Sequence, residues 1–298
     1  MRVNPLYMND LVGSLDATTS SEQKLTEELS SGSRVNQLSD DPVAAGENVL
    51  LSAQIASDDT FSQSASSTES LLQVGDSALS TVVSQLTTAV SLATGANTGT
   101  MNASDMQVVS NQLVGIRDEV LSLANTTYLG RYVFSGSLGN TAPYTLDRTA
   151  APAVATYQGD TGVSYLQTPS GQKIAMNIPG SQIFSASGSD VLGTLNALIA
   201  DYSSGTAGPT ADADAQALST ALGHVSQQRI LLDNSLSRLT AAQSYTQSES
   251  TQLTAAQTNL LQADVGEVAT HLSIAETQQA ALSQVIATLG KQSLFNDL

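Results

Sequence analysis

The sequence has no cysteine, no tryptophan and few charged residues. Without cysteine, the chain forms no disulfide, has no thiolate nucleophile and offers no thiolate ligand to zinc or to an iron–sulfur cluster. Charged residues make up 12% of the 298 residues, against the usual quarter or so. These absences exclude thiol redox chemistry and cysteine-based metal centres.

Positively charged residues are much fewer than negatively charged ones. Ten Lys and Arg residues stand against 27 Asp and Glu residues, which gives a net charge of −17. A field of this sign repels phosphate backbones and anionic lipids, so we expect no nucleic-acid partner. No run of eighteen apolar residues occurs, and the first thirty residues lack a continuous apolar segment. We therefore expect no membrane insertion and no cleaved secretory signal, and export would need another route.

The residue patterns of common enzyme sites are also missing. The two histidines, His224 and His271, lie far apart in the sequence, and neither is followed by a second ligand three or four residues later. No nucleophile elbow, Walker A loop or dinucleotide-binding glycine motif is present. The acidic doublets at 40–41 and 58–59 are typical of helix caps and solvated faces. The sequence therefore predicts a protein that is not an enzyme, with no catalytic, cofactor or metal site.

Aromatic residues, although few, mark one segment of the chain. Seven of the twelve lie between Tyr128 and Phe184, together with four of the seven prolines and several glycines. Long helices do not cross such a segment. Short β-favouring runs at 132–134 and 163–166 predict the strands of a small β-rich domain.

On both sides of this segment, apolar residues recur in alternating steps of three and four, which is the spacing of coiled-coil helices. One such stripe covers 72–93 and another covers 222–239. The two ends of the chain carry the same pattern at 11–29 and 261–289, where Thr18, Glu22 and Gln279 are polar interruptions that would fix the register of the helices. Together the two ends predict an assembly seam, called the terminal seam, formed by Leu11, Leu15, Leu25, Leu29, Leu261, Val265, Val268, Leu272, Leu282, Ile286 and Leu289.

Capping signals give the expected helix ends. The pair Asp41-Pro42 predicts a helix that begins at Pro42 or Val43. Ser104 and Gln107 would form a capping box for a helix over about 104–128 that stops at Gly130. After the break at 205–209, Asp212 and Asp214 would lie in the first turn of a long helix, where their charge is favourable.

These patterns predict a mainly α fold: an elongated multi-helix rod with coiled-coil terminal helices and a small inserted β domain. The expected domains are a terminal coiled coil (1–40 and 257–298), a helical rod (41–131 and 205–256) and the β-rich outer domain (132–204). Short terminal helices are marginal alone, so we expect the terminal domain to be disordered in the monomer. The pattern leaves two uses of the seam open, pairing of the two ends within one chain and packing among copies, and both hold together in an assembly.

Two segments resemble a known family. The run Ser-Gly-Ser-Arg-Val-Asn-Gln-Leu-Ser-Asp-Asp-Pro-Val-Ala-Ala-Gly at 31–46 resembles the flagellin superfamily where the terminal domain meets the rod, and Gly-Arg-Tyr-Val-Phe-Ser-Gly at 130–136 resembles the transition from the rod to the β domain. The resemblance implies an inter-domain connection that contains Arg34, Asn36, Asp40, Asp41 and Pro42. It implies a rod-to-β transition that contains Gly130, Arg131, Tyr132 and Phe134.

The resemblance implies a structural subunit of the bacterial flagellum, exported unfolded by the flagellar type III apparatus. The Ser-Asp-Asp-Pro form is similar to the members of the superfamily at the hook–filament junction, which join the first hook-associated protein to flagellin. The implied partners are further copies in a ring, the first hook-associated protein, flagellin and an export chaperone, at an extracellular site on the flagellum. A filament flagellin is the nearest alternative, and a secreted coiled-coil effector or adhesin is a more distant one.

Overall fold

A computed structural model describes residues 5–295 of the chain, and within them helices dominate. The helices are α1 (Pro5–Ser31), α2 (Pro42–Ala96), α3 (Ala103–Ala124), α4 (Gly180–Ile183), α5 (Val191–Ser203), α6 (Ala211–Leu261) and α7 (Val265–Phe295). The strands are β1 (Thr127–Tyr128), β2 (Arg131–Tyr132), β3 (Tyr144–Asp147), β4 (Val154–Tyr157), β5 (Tyr165–Gln167), β6 (Lys173–Ala175), β7 (Ser185–Ala186) and β8 (Ser189–Asp190). The predicted mainly α fold with a small β-containing insert is confirmed.

The chain divides into two compact units. The terminal unit contains the described residues up to Ser57 and those from Glu249 onward, and the central unit runs from Asp58 to Ser248. No helix in the described range 5–295 is long and apolar enough to cross a membrane.

The long helices of the central unit form its core. The predicted stripe along α2 is buried throughout, and its members Leu79, Val82, Leu86, Ala89 and Ala93 have no exposed surface. The predicted stripe along α6 is also buried or half-buried at every position. It includes Arg229, whose Nε and Nη2 donate to the two carboxylate oxygens of Asp76 on α2 at 2.6 and 3.2 Å. This bidentate pair gives a polar position in the helix contact a defined partner.

The predicted starts of α2 and α6 are confirmed. α2 begins at Pro42, and Asp41 Oδ1 accepts hydrogen bonds from the amides of Val43 and Ala44 at 3.2 and 3.0 Å. α6 begins at Ala211, with Asp212 and Asp214 in its first turn. Both starts are set by local sequence, which is why the capping signals located them.

The predicted bounds of the helix at 104–128 are wrong. α3 runs from Ala103 to Ala124, and its capping box is formed by Asn102 and Asp105 instead of Ser104 and Gln107. The helix ends early because the side chain of Asn125 donates to the carbonyl oxygen of Tyr144 and accepts from the amide of Tyr144, both at 2.9 Å. Gly130 has a φ of 78° in the turn between β1 and β2, so it does not stop the helix.

The inserted segment contains four separate two-stranded antiparallel hairpins instead of one sheet. The pairs are β1–β2, β3–β4, β5–β6 and β7–β8. Four aromatic side chains, Phe134, Tyr144, Tyr157 and Phe184, stack near one another with ring centroids 5.1–5.8 Å apart. The segment predicted as β-rich also holds α5, which packs against α3, so helical packing extends into the insert.

Leucine residues on α2 provide a test of this core. Replacing Leu86, which has no exposed surface, by Ala should destabilise the central unit by about 2–5 kcal/mol because it leaves a cavity. The same change at Leu50, which is 72% exposed, should cost less than about 0.5 kcal/mol. Denaturant unfolding followed by circular dichroism measures both, and equal effects would contradict the assigned core.

Candidate assembly surfaces

The terminal seam lies where α1 and α7 pack against each other. Its members Leu11, Leu15 and Leu25 are half-buried on α1, as are Leu272, Leu282, Ile286 and Leu289 on α7, where Val268 is buried. The polar positions Thr18, Glu22 and Gln279 lie on the same stripes and are half-buried. The structure therefore brings most of the predicted seam residues together on one side of each helix.

Three seam residues lie elsewhere. Leu29 and Val265 are 37% and 53% exposed, and Leu261 is the last residue of α6. The expected continuous helix over 261–289 is interrupted at 262–264, because Asp264 caps a new helix by accepting from the amides of Gly266 and Glu267 at 2.9 and 3.2 Å. The alternating spacing continues across this break, so periodicity alone did not reveal it.

The two helices run antiparallel. Gln279 Nε2 donates to Thr19 Oγ1 at 3.2 Å, and an antiparallel bridge joins Ser33 to Gln262 at the other end of the pair. Among residues 7–31, whose side chains the structure describes, none is buried. Glu22 Oε1 is shielded from solvent within the seam and has no hydrogen-bond partner in the described part of the chain. The pair thus has one apolar contact line and no enclosed core.

The predicted connection residues come together between α1 and α2. Arg34 Nη1 pairs with Asp41 Oδ2 at 3.0 Å, and Asp40 Oδ2 accepts from the amides of Asn36 and Gln37 at 3.1 and 2.9 Å. Asn36 Nδ2 donates to the carbonyl oxygen of Ser33 at 3.0 Å. Pro42 follows as the first residue of α2. The segment is therefore a folded turn held by its own side chains.

The same turn is tied to the second crossing of the chain, between α6 and α7. The amide of Arg34 donates to the carbonyl oxygen of Leu261 at 2.7 Å, and the amide of Ala263 donates to the carbonyl oxygen of Gly32 at 3.0 Å. Gly32 has a φ of 68°, a conformation that suits glycine. The two chain segments therefore cross side by side, with backbone hydrogen bonds fixing their register.

Sequence reasoning missed two side chains of this connection. Lys24 Nζ lies 3.2 Å from Asp40 Oδ1, and the Ser33 hydroxyl donates to the carbonyl oxygen of Leu261 at 3.1 Å. Lys24 is sixteen positions before Asp40, so no local pattern linked them. Ser33 lies inside the 31–46 motif, and its place in that motif was the only sign in the sequence that it belongs to the connection.

Hydrogen bonding favours the ionised form of both connection carboxylates. The backbone amide of Gln37 lowers the pKa of Asp40, with Lys24 as a further contributor. The backbone amide of Ala44 lowers the pKa of Asp41, with the side chain of Arg34 next. Both side chains are half-buried within the connection, so we expect their ionisation to affect the order of this segment first.

The predicted rod-to-β residues form the β1–β2 hairpin and its exit. Leu129 and Gly130 both have positive φ, which is the turn geometry that matches strand twist in a two-residue hairpin. Arg131 and Tyr132 form β2, and the Tyr132 amide donates to the carbonyl oxygen of Gly139 at 2.8 Å. Phe134 is buried, with its ring edge-on to Phe184 at 5.6 Å. The buried ring of Phe134 therefore fixes the position of this transition.

The histidines take structural positions. His224 Nε2 is 2.7 Å from the carbonyl oxygen of Gln182, and His271 Nε2 is 3.6 Å from Glu267 Oε1 one helical turn away. Across residues 5–295, no group of three or more His, Asp or Glu side chains is placed to hold a metal ion.

Comparison with known protein families gives a match for the first part of the chain. Residues 6–138 match the family model described as the bacterial flagellin N-terminal helical region. This part of the chain is therefore similar to the N-terminal helical region of flagellins. The predicted resemblance to the flagellin superfamily is thereby confirmed.

The relatives include hook-associated proteins and flagellins. The chain is 32% identical to flagellar hook-associated protein 3 of Salmonella typhimurium over 55% of its length, and 29% identical to the Escherichia coli protein of that name over 64%. The chain spans 50% and 62% of the lengths of these two relatives. It is 26% identical to flagellin of Bacillus subtilis over 95% of its length and 96% of that protein.

The fold has a counterpart among solved structures. Flagellar hook-associated protein 3 of Legionella pneumophila superposes with a TM-score of 0.63 at 14% identity, covering 71% of this chain and 98% of that one. At this identity the likeness shows a shared fold.

The connection carboxylates predict a pH dependence. Folding lowers both pKa values, so ionised Asp40 and Asp41 stabilise the connection above their unfolded-state pKa of 3.8, and that stabilisation is lost as the pH falls through the lower folded-state values. Hydrogen exchange of peptides covering 33–45 should therefore accelerate, relative to intrinsic rates, between about pH 5 and pH 3.

The variant Asp40→Asn/Asp41→Asn should exchange faster than the parent chain at pH 6 and show little further acceleration on acidification. Asp59→Asn, which removes an exposed carboxylate further along α2, is the matched control and should follow the parent chain. An identical pH response in the double variant would show that these carboxylates do not order the connection.

Proposed function

We propose that this chain is a structural subunit of the bacterial flagellum that acts as the adapter at the hook–filament junction, joining the first hook-associated protein to flagellin. The observation that carries the proposal is the terminal seam. Ile286 and most of its leucines are half-buried between α1 and α7, so a large part of their apolar surface still faces outward. The names of the hook-associated relatives and the shared fold support the same role.

The composition of α1 and α7 supports packing among subunits. The outward positions of α7 carry Ala, Ser, Thr and Gln, with charge at Asp264, Glu267, Glu276 and, in sequence, Lys291. Small neutral side chains let helices approach on several sides without burying charge. The exposed Ile274 and Val285, on a second side of α7, add apolar surface for a neighbour. The proposed inner contacts of an assembled ring are made by these helices.

The connection supports a role in carrying load between the seam and the long helices. Two backbone hydrogen bonds hold the crossing segments at 32–41 and 260–263 together, and the side chains of Ser33 and Arg34 add hydrogen bonds to the carbonyl oxygens of Leu261 and Leu260. A crossing held at several points resists separation of the two segments better than one flexible linker. We assign Arg34, Asn36, Asp40, Asp41 and Pro42 to this inter-domain connection.

The proposed partners follow from this role. They are further copies of the chain in a ring, the first hook-associated protein on one side, flagellin on the other, and an export chaperone before secretion through the type III apparatus. The terminal helices, which have no core of their own, would be unfolded before assembly and ordered by neighbours. The protein would work outside the cell, on the flagellum, and without catalysing a reaction.

A filament flagellin is the second candidate, and the B. subtilis relative favours it by length of alignment. One position favours the junction role. Asp41 is followed by Pro42, which starts α2, whereas flagellins usually have Ala-Asp-Asp-Ala-Ala-Gly in this motif. We therefore place the adapter role first.

Deletion of the gene distinguishes the two roles. For the adapter, cells without the protein should build complete hooks but no filaments, and they should release flagellin into the medium. For a filament subunit, the missing material would be the filament protein itself, with no other flagellin shed. Normal filaments in the deletion strain would contradict both roles.

Complementation of that strain tests the seam. Leu272→Asp would place an unpaired carboxylate inside the seam, which is costly, and should abolish incorporation and motility. Leu272→Met keeps an apolar side chain of similar volume at the same position and should restore motility. Antibody labelling of isolated flagella reads out incorporation, and motility with Leu272→Asp equal to the parent would remove the seam from the assembly.

A further inference from the structure

Most of the cationic side chains pair with a carboxylate, but some do not. Five make ion pairs with carboxylates in the structure: Lys24, Arg34, Arg117, Arg148 and Arg229. Within the described residues, Arg131, Lys173 and Arg238 make none. In a chain with 27 acidic residues and ten basic ones, a cation without a carboxylate partner is unexpected.

Two of these three cations lie together. Arg238 on α6 is exposed, and its Nη2 donates to the carbonyl oxygen of Lys173 on β6 at 3.2 Å; Lys173 is exposed as well. Two uncompensated positive side chains at one place create a local field opposite to that of the whole molecule. This place is thus an exception to the acidic surface.

Exposed apolar side chains flank the same cations. Leu231, Arg238 and Tyr245 recur every seven residues and so lie along one face of α6, with Leu231 and Tyr245 54% and 64% exposed. Ile230 beside them is 63% exposed. No exposed position of α6 between 230 and 248 carries a carboxylate. We call Ile230, Leu231, Arg238, Tyr245 and Lys173 the basic ridge.

The central unit also contains a groove of the opposite character. It lies along α2 and the end of α3, where Val74, Ala78, Leu123 and Tyr128 provide apolar lining between hydroxyl side chains. Two carboxylates flank it. Glu69 accepts from Nε2 of the lining residue Gln73 at 3.2 Å, and Glu119 precedes Leu123 by one turn on the same side of α3. We call this surface the acidic groove.

We propose that the basic ridge of one copy docks into the acidic groove of a second copy of this chain. The basic ridge has exposed apolar side chains and two cations, and the acidic groove has an apolar lining flanked by two carboxylates. The two surfaces therefore have opposite charges, and a protruding surface meets a recess. An anionic lipid or nucleic acid is disfavoured for the ridge because the net charge of −17 repels both. Ridge and groove are different surfaces, so one copy can use its ridge with one neighbour and its groove with another, which extends the contact to a row or ring of copies.

This contact deepens the proposed ring and rests on that function for its biological setting. Zero-length carbodiimide coupling tests it on the purified full chain, since it joins a lysine amine to a carboxylate in contact. The sequence has three lysines, Lys24, Lys173 and Lys291. Mixing ¹⁴N- and ¹⁵N-labelled copies separates links between copies from links within one copy by peptide mass.

The expected result is a link between copies from Lys173 to Glu69 or Glu119 that grows with protein concentration. The link within one copy from Lys24 to Asp40, 3.2 Å apart, is the positive control for coupling. Because coupling is irreversible, it accumulates brief encounters and detects weak association. Appearance of the control link without any link from Lys173 to Glu69 or Glu119 would overturn the proposal, as would Lys173 links to other carboxylates only.

Charge reversal provides the second arm. Arg238→Glu should lower the yield of the Lys173 link on the order of tenfold, since it places like charges at the contact. Gln216→Glu/Ser219→Glu changes the net charge equally at exposed positions of α6 outside the ridge and the groove and should leave the yield unchanged. Equal loss in both variants would show a general charge effect and contradict the docking. If the Lys173 link forms but the deletion strain builds normal filaments, the junction role is refuted and the docking is not. If the link does not form but the deletion strain has hooks without filaments, the docking is refuted and the junction role is not.

Discussion

Two antiparallel helices that share a single apolar stripe hold the ends of this chain together. α1 and α7 contribute leucines and Ile286 that are half-buried, and no residue of α1 whose side chain is described is buried completely. A pair of this kind stabilises itself only weakly, because apolar burial supplies most of the driving force for helix packing. The same feature makes the pair suited to further neighbours, since the outer halves of the stripe remain available.

The weakly stabilised pair of α1 and α7 is continuous in the chain with α2 and α6, which form the strongly packed core of the central unit. The central unit buries whole stripes along α2 and α6 and adds the bidentate pair of Asp76 with Arg229. The connection at 32–41 meets the crossing at 260–263 through backbone hydrogen bonds and through hydrogen bonds from the side chains of Ser33 and Arg34 to the carbonyl oxygens of Leu261 and Leu260. We therefore expect the central unit to fold on its own core, and we propose that the terminal pair is ordered by neighbouring subunits.

Much of this could be predicted, and the failures share a cause. The stripe along α2 and the starts at Pro42 and Ala211 were predictable because spacing and capping are local. The box at Asn102 and the end at Asn125 were not, because two boxes compete in the sequence and the bond to Tyr144 spans nineteen residues. The break at Asp264 was hidden by continuing periodicity. The contact between Lys173 and Arg238, like the pair of Lys24 and Asp40, joins residues that only the fold brings together.

Hydrogen exchange of the free chain at residue resolution tests the central claim most directly. If the terminal pair has no core of its own, amides along α1 and α7 should exchange at nearly intrinsic rates, while those of the buried stripes at 72–93 on α2 and 218–239 on α6 exchange many-fold more slowly. The same amides of α1 and α7 should become protected in isolated flagella. Protection of α1 and α7 in the free chain equal to that of the central unit would contradict the account.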